Sequence, residues 1–301
     1  MHDLIIIGAG PAGITASVYA ARKGLKTMVI SKDIGGQAAL SGDVENYTGY
    51  QFISGPELAD KFEEHMRRFN IEVKEPEAVL DVVKSSGGLI EIKTDKDTYK
   101  ARAVIIATGA RWRQLNVAGE KEYKNKGLTY CATCDGPLFS GKDVAIIGGG
   151  NSAMDAALQL INIAAKIYII NIAPKLTGDE IMIKKVESSD KVAVFNESAV
   201  TKITGDTFVR AIKIKHPGGE KTLQVSGVFV EIGLIPNSEI VNNAEKNSRG
   251  EIKLGNDNQT SIEGIFAAGD VSDVAEKQII VAAGEGSKAA LGVFKYLARQ
   301  K

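Results

Sequence analysis

Sulfur, tryptophan and histidine are scarce in this chain: 301 residues carry two cysteines, one tryptophan and three histidines. Two cysteines are too few for the disulfide framework of a small secreted domain. A zinc site normally takes four ligands, and beyond the cysteine pair the chain offers only His2, His65 and His216. Charge of one sign is also missing. Lys plus Arg and Asp plus Glu both number 37, so nothing electrostatic recommends a nucleic acid or a membrane surface as partner. No apolar run approaches the roughly 18 residues of a membrane span. The N-terminus MHDLIIIGAG has neither a basic n-region nor a small-residue cleavage site, so no signal peptide is expected. The expected location is the cytoplasm, where a lasting disulfide is usually catalytic. The remaining composition, 44% hydrophobic and 25% charged, is that of a globular chain long enough for two domains.

The first motif stands at the start. LIIIGAGPAGITASVYAARKG opens with an apolar strand, Leu4 to Ile7, continues through Gly8-x-Gly10-x-x-Gly13 and enters a helical pattern ending at Gly24. TMVI, Thr27 to Ile30, reads as the next strand. In such a βαβ unit the first glycine permits the tight turn. The second lets backbone amides approach a pyrophosphate, and the third allows close helix–strand packing. The strand after the helix ends in Ser31 rather than the usual ribose-binding acid.

The motif recurs. DVAIIGGGNSAMDAALQL, Asp143 to Leu160, is again a strand, then Gly148-x-Gly150-x-x-Ala153, then a helix, with KIYII (Lys166 to Ile170) following. Two dinucleotide units in one chain predict a flavin on one domain and a nicotinamide on the other, because hydride moves between them. AVIIATGARW (Ala103 to Trp112), GVFVEIGLIPN (Gly227 to Asn237) and GIFAAGDV (Gly264 to Val271) read as further strands and turns, and a long helix is predicted from Gln278 onward. Glu77 to Tyr99 alternates apolar and polar residues around a Ser-Ser-Gly-Gly break at 85–88, a hairpin pattern inserted in the first unit. The expected fold class is α/β, two Rossmann-like domains with the second inserted into the first. The expected boundaries are 1–115 with 245–301 for the discontinuous first domain, and 116–244 for the second.

Both cysteines lie in YCATCDGPLF, Tyr130 to Phe139. The Cys131-x-x-Cys134 spacing brings two sulfurs within disulfide reach across one helical turn. One thiolate can attack a substrate disulfide and the other can resolve the mixed disulfide. Asp135, directly after, is placed to serve as the acid–base of that exchange. Half of a zinc site and two unpaired buried thiols are the other readings of the pair.

Taken together, GAGPAG, GGQ at 35–37, ENYTG at 45–49, ATGA at 107–110, CATCDG, GGGNSA, AAGD and KQIIVAAGEG at 277–286 resemble the low-molecular-weight thioredoxin reductase family over essentially the whole chain. Within it, ARWRQLNVAGEKEY and YCATCDGPLF look closer to the C-terminal flavoprotein part of alkyl hydroperoxide reductase. That protein's extra N-terminal thioredoxin-like domains have no counterpart before Met1, so no internal disulfide relay is expected.

The resemblance implies a class II pyridine nucleotide-disulfide oxidoreductase with FAD as prosthetic group. It places Gly8, Gly10, Pro11, Ala12 and Gly13 at the FAD pyrophosphate, and Gly36, Gln37 and Asn46 beside the flavin ring. Ala107, Thr108 and Gly109, and Gly269, Asp270, Lys277, Gln278 and Ile279, complete that site. Asp270 takes the ribityl or phosphate end, and Gln278 lies against the isoalloxazine. Gly148, Gly150, Asn151, Ser152, Ala153 and Asn171 would receive the pyridine nucleotide. Cys134 is implied as the flavin-proximal sulfur, Cys131 as the one that attacks the external disulfide, and Asp135 as the acid–base. The resemblance further implies a homodimer, a thioredoxin- or glutaredoxin-like protein as substrate, and an inserted domain that rotates between two positions. The hinges are expected near Val117–Gly119 and Asn242–Ala244.

One stretch departs from the family pattern. NADPH-using members end the second strand of the inserted domain with basic residues that grip the 2′-phosphate. Here Asn171, Ile172 and Ala173 stand in their place, with Lys175 the one nearby cation. NADPH is disfavoured and NADH expected. The same departure leaves room for a degenerate nucleotide site fed by reduced ferredoxin. A flavin electron-transfer reductase without disulfide turnover is the remaining alternative, against which the cysteine pair argues.

Overall fold

The computed structural model describes residues 1–41, 43–85 and 87–300. Along the chain run β1 (His2–Ala9), α1 (Pro11–Arg22), β2 (Thr27–Ile34), α2 (Gly36–Ala39), β3 (Asp43–Val44), β4 (Ile53–Ser54), α3 (Gly55–Arg67), β5 (Glu72–Lys74), β6 (Val79–Lys84), β7 (Ile90–Thr94), β8 (Thr98–Ile106) and β9 (Ala110–Trp112). Then come β10 (Leu128–Thr129), α4 (Ala132–Asp135), β11 (Asp143–Ile147), α5 (Asn151–Leu160), β12 (Lys166–Ile170), α6 (Glu180–Glu187) and β13 (Val192–Phe195). The last are β14 (Ala199–Gly205), β15 (Val209–His216), β16 (Gly219–Gln224), β17 (Gly227–Val230), β18 (Leu234–Pro236), β19 (Ile265–Ala267) and α7 (Ile279–Arg299).

The chain divides into two α/β units, Met1–Arg111 with Ile235–Lys301, and Trp112–Leu234. The first is built on a sheet ordered β5-β2-β1-β8-β7-β6, with β19 also pairing β8. β1 lies parallel to both β2 and β8, which is why its apolar run is continuous rather than alternating. Leu4 and Ile6 enter one core with α1 and α7; Ile5 and Ile7 enter the core on the opposite face. Each such side chain removed from water contributes about 1.5–3 kcal/mol. α3 starts at a capping box in which Ser54 accepts the Glu57 N–H and Glu57 accepts the Ser54 N–H.

The second unit repeats the plan on a parallel sheet ordered β10-β17-β11-β12-β13. Val144 and Ile146 face α5, while Ala145 and Ile147 face a core shared with the antiparallel sheet β14-β15-β16.

Several elements differ from the sequence reading. β2 runs on to Ile34 because the Ser31 hydroxyl, accepting the Ala9 N–H and donating to Asp33 O, keeps the chain extended beside the turn after β1. Ser31 is thereby spent on that turn. The 77–99 hairpin is not a separate insertion but continues the main sheet: β7 pairs antiparallel with β8, and β6 antiparallel with β7. Ser86, in its expected break, lies outside the described residues. The chain leaves the first unit just before Trp112 and returns at Ile235, earlier on both sides than 115 and 245. Val241 and Ala244 are buried in the first unit's core with Ile5 and Ile7, so the return is complete before them. The expected hinge at Val117–Gly119 is also packed within its unit, since a Cβ on Gly119 would lie 2.2 Å from Ile203 O.

Candidate active site

In the first unit the glycine loop has the geometry its spacing predicts. Gly8 sits at φ +104°, and a Cβ there would lie 2.3 Å from Ala107 O. A Cβ on Gly13 would lie 1.8 Å from Gly8 O, so the helix crosses the turn in backbone contact. Gly10 caps α1, followed by Pro11 at the first helical position. It faces the Gly36 backbone, with nothing nearer to its missing Cβ than Gly36 Cα at 4.0 Å. Beside this open patch, the Gln37 side-chain Nε2 donates to Ala110 O, while its Oε1 is buried without a partner. Asn46 Nδ2 donates to Gln278 Oε1 at 3.2 Å, joining residues 232 positions apart.

Asp270 and Gly269 follow β19, and a Gly269 Cβ would lie 3.0 Å from the Ala12 Cβ. Burial raises the Asp270 carboxyl above its ordinary range, with the Lys277 charge opposing and the Glu251 charge adding to the rise. The Lys277 ammonium itself points inward, onto Ser272 O at 2.6 Å and the Glu251 carboxylate at 3.0 Å. Gln278 is the residue before α7 and Ile279 its first. Thr108 is turned to the return segment: its hydroxyl donates to Asn237 O at 2.7 Å, and Asn237 Nδ2 donates to Thr108 O at 2.8 Å. The Asn237 N–H donates to Gly109 O at 2.9 Å.

In the second unit Gly148 has φ +140°, Gly150 caps α5, and Ala153 in place of a third glycine is fully buried. The segment after β12 folds onto this loop: Thr177 and Gly178 donate their N–H groups to Gly149 O, and Asp179 N–H donates to Asn151 Oδ1 at 2.7 Å. Ser152 is exposed. Asn171 is only 3% exposed. Its amide donates to Ala173 O and Asn196 Oδ1, and its Oδ1 accepts the Ala173 N–H. Those bonds occupy the amide group that the sequence offers to a ribose. Ile172, next to it, is 81% exposed.

The cysteine turn lies between β10 and β11. Cys131 and Cys134 form a disulfide with Cα atoms 5.3 Å apart. Cys131 caps α4, its Sγ accepting the Cys134 N–H at 3.2 Å. Cys134 is exposed and Cys131 half-buried. The Thr129 hydroxyl donates to the Asp135 carboxylate and accepts the Cys131 N–H at 3.1 Å. Tyr130 O–H donates to the buried Glu120, which also accepts the N–H groups of Leu115 and Asn116. Burial first, then that hydrogen bond and the Glu120 charge, push the Tyr130 phenol well above its usual range.

A family model described as pyridine nucleotide-disulphide oxidoreductase matches residues 2–286. The chain belongs to that family. Among curated relatives of this oxidoreductase, a protein named NADH dehydrogenase from Bacillus subtilis (strain 168) is 42% identical over 301 residues, covering 99% of this chain and 59% of the relative. An alkyl hydroperoxide reductase component from Escherichia coli (strain K12) is 39% identical, covering 100% of this chain and 59% of that protein. The chain thus spans less than two thirds of the length of both. Thioredoxin reductase from Streptococcus pyogenes MGAS5005 is 38% identical, with a TM-score of 0.93 and 99% of both chains covered. The fold, two dinucleotide-binding units with a cysteine pair in the second, is that of the thioredoxin reductase from Streptococcus pyogenes.

The first unit fits the FAD this family implies. The unpartnered Gln37 Oε1, the open patch between Gly10 and Gly36, and the Asp270 carboxyl, which follows the Gly269 packed on Ala12, are polar or small where a flavin nucleotide needs them so. Thr129, Asn237 and Glu120 carry structural parts that spacing alone does not assign. Asn237 closes the GLIPN turn and Thr129 precedes the cysteine motif, so position is their one sequence signal.

Proposed function

We propose that this oxidoreductase passes electrons from NADH through FAD and the Cys131–Cys134 pair to a small protein disulfide of the thioredoxin or glutaredoxin type. The observation that carries the choice of NADH is the end of β12. Ile172 stands open there, Asn171 is committed to its own turn, and no arginine lies in the 171–180 segment. A 2′-phosphate would find Lys175 alone, without the bidentate contacts a guanidinium gives. The name of the Bacillus subtilis relative, NADH dehydrogenase, points the same way.

When bound, the flavin supplies the electron pair that opens the Cys131–Cys134 disulfide. The Cys131 thiolate then attacks one sulfur of the substrate disulfide, forming a mixed disulfide and releasing a thiolate that takes the proton of the Asp135 carboxyl group, protonated in the reductive half. The Asp135 carboxylate takes the Cys134 thiol proton; the Cys134 thiolate attacks the Cys131 sulfur, and the second substrate thiolate leaves with that proton, which releases a dithiol and restores the intramolecular disulfide. Thr129 holds the Asp135 carboxylate beside the turn while this occurs. The test is anaerobic bleaching of the flavin by NADH, NADPH and reduced ferredoxin in parallel. Fast bleaching by NADH is the expected result. Fast bleaching by ferredoxin alone would overturn the choice of donor.

A further inference from the structure

Glu251 and Lys277 form an ion pair that the reaction above leaves unused. The carboxylate and the ammonium lie 3.0 Å apart, and the two side chains are 7% and 17% exposed. The resemblance places Lys277 at the cofactor; the structure turns its ammonium inward, onto the loop that carries two residues assigned to the flavin. Asp270 stands at one end of that loop, directly after Gly269, and Gln278 at the other, directly before α7. A lysine ammonium has three N–H donors. Those of Lys277 meet Ser272 O at 2.6 Å, Asp270 O at 3.4 Å and the Glu251 carboxylate, which leaves none for a cofactor. Glu251 is held in turn by the Asn247 amide at 2.6 Å and the Arg249 guanidinium at 3.2 Å, and its N–H donates to Asn247 Oδ1 at 3.1 Å. The backbone next to it backs the loop directly: Ile252 N–H donates to Val271 O and Asp273 N–H to Ile252 O, each at 3.0 Å. Ile252, Val271 and Ser272 are fully buried.

We propose that Lys277, anchored by Glu251, is a positioning residue for FAD, fixing the 270–278 loop so that Asp270 and Gln278 meet the flavin nucleotide already in place. The proposal rests on the reading that the first unit binds FAD through those two residues. A loop ordered beforehand pays no ordering cost at binding, which raises affinity without adding a contact. The ammonium is the part that matters. An uncharged side chain of similar length fills the same space and ties none of the three oxygens.

The test is FAD release from the full-length holoprotein on serial dilution, read by the fluorescence of the free flavin. Lys277→Met leaves Glu251 with Asn247 and Arg249, so the carboxylate keeps partners and the unit folds. This variant should hold FAD about tenfold more weakly than wild type. Lys277→Arg keeps the charge and the donors and should restore most of the affinity. Hydrogen exchange gives a local reading. The Ser272 and Asp273 amides, bonded to Gly269 O and Ile252 O, should exchange faster in Lys277→Met, while the second unit keeps its wild-type rates. Wild-type affinity in Lys277→Met would overturn the proposal. So would weakened binding with unaltered exchange at Ser272 and Asp273, which would make Lys277 a direct contact of the flavin. Asp270→Ala, measured alongside, separates the proposal from the reading beneath it. Weak binding in Asp270→Ala with wild-type binding in Lys277→Met overturns the clamp alone; wild-type binding in both overturns the reading as well.

Discussion

The Thr129 hydroxyl donates to the Asp135 carboxylate and, through the same oxygen, accepts the backbone N–H of Cys131. One side chain thus fixes both the acid and the start of the cysteine turn. Removing a positioned acid–base typically costs about 10²- to 10⁴-fold, so Asp135→Asn should slow reoxidation of the dithiol by a protein disulfide by that order. Thr129→Val should slow the same step about tenfold, and Thr129→Ser should restore it. Stopped-flow traces separate this from a general defect, because flavin reduction by the dinucleotide should stay at its wild-type rate in all three.

The cysteines and the residues proposed to hold the flavin lie in different units. Gly8, Gly13, Gln37 and Asp270 lie in the first, and Cys131 and Cys134 in the second. Cys134→Ser and Cys131→Ser should each purify with full flavin content and lose redoxin reduction. Absorbance of the purified variants checks the first half, and a turnover assay with a thioredoxin-like substrate the second. Loss of flavin from either variant would contradict this division.

Ile172 is exposed at the end of β12 and can take a larger side chain without disturbing a core. Ile172→Arg should raise kcat/KM for NADPH about tenfold or more. That figure corresponds to the lower end of the roughly 1.5–3 kcal/mol of a charge-assisted bond. Steady-state rates with both dinucleotides decide it, and an unchanged preference would place the 2′-phosphate elsewhere.

Asn171 should tolerate no acid. Its Nδ2 donates to Ala173 O and Asn196 Oδ1, so Asn171→Asp sets a carboxylate oxygen against two acceptors. A loss of about 1–3 kcal/mol is expected in urea unfolding of the purified protein. A variant as stable as wild type would mean that the turn rearranges to serve the acid.

Glu231, the partly buried residue directly after β17, should make stability depend on pH. Its folded-state pKa is raised by burial, so the fold prefers the protonated form. The contribution is full in acid, below the ordinary carboxylate range, and is lost as pH climbs from there to about 8. Urea midpoints taken at about pH 6 and about pH 8.5 should differ more for wild type than for Glu231→Gln.

Much of this is readable from spacing. The two glycine loops announce themselves because Gly8 and Gly148 need positive φ, and because backbone contact leaves no room for a side chain at Gly13. The cysteine disulfide follows from a three-residue separation. What spacing does not give is long-range partnership. Asn46 meets Gln278, and Thr108 meets Asn237, across well over a hundred residues, through sheet pairing that local sequence does not encode. The return crossing falls earlier than its sequence cues for a related reason. Val241 and Ala244 look like linker residues in sequence, but they complete a core whose other members, Ile5 and Ile7, lie at the opposite end of the chain. Asn171 has the sequence position of a ligand contact; its burial by the 172–178 turn is a tertiary fact.

The central claim is that the cysteine pair is an electron carrier in series with the flavin. Anaerobic titration with NADH counts the electrons directly, since a disulfide is a two-electron couple. Wild type should need about two equivalents of NADH for full reduction, one for the flavin and one for Cys131–Cys134. The Cys131→Ser/Cys134→Ser double variant should need about one. Equal consumption by the two proteins, at about one equivalent each, would show that the disulfide lies off the electron path and would contradict the account.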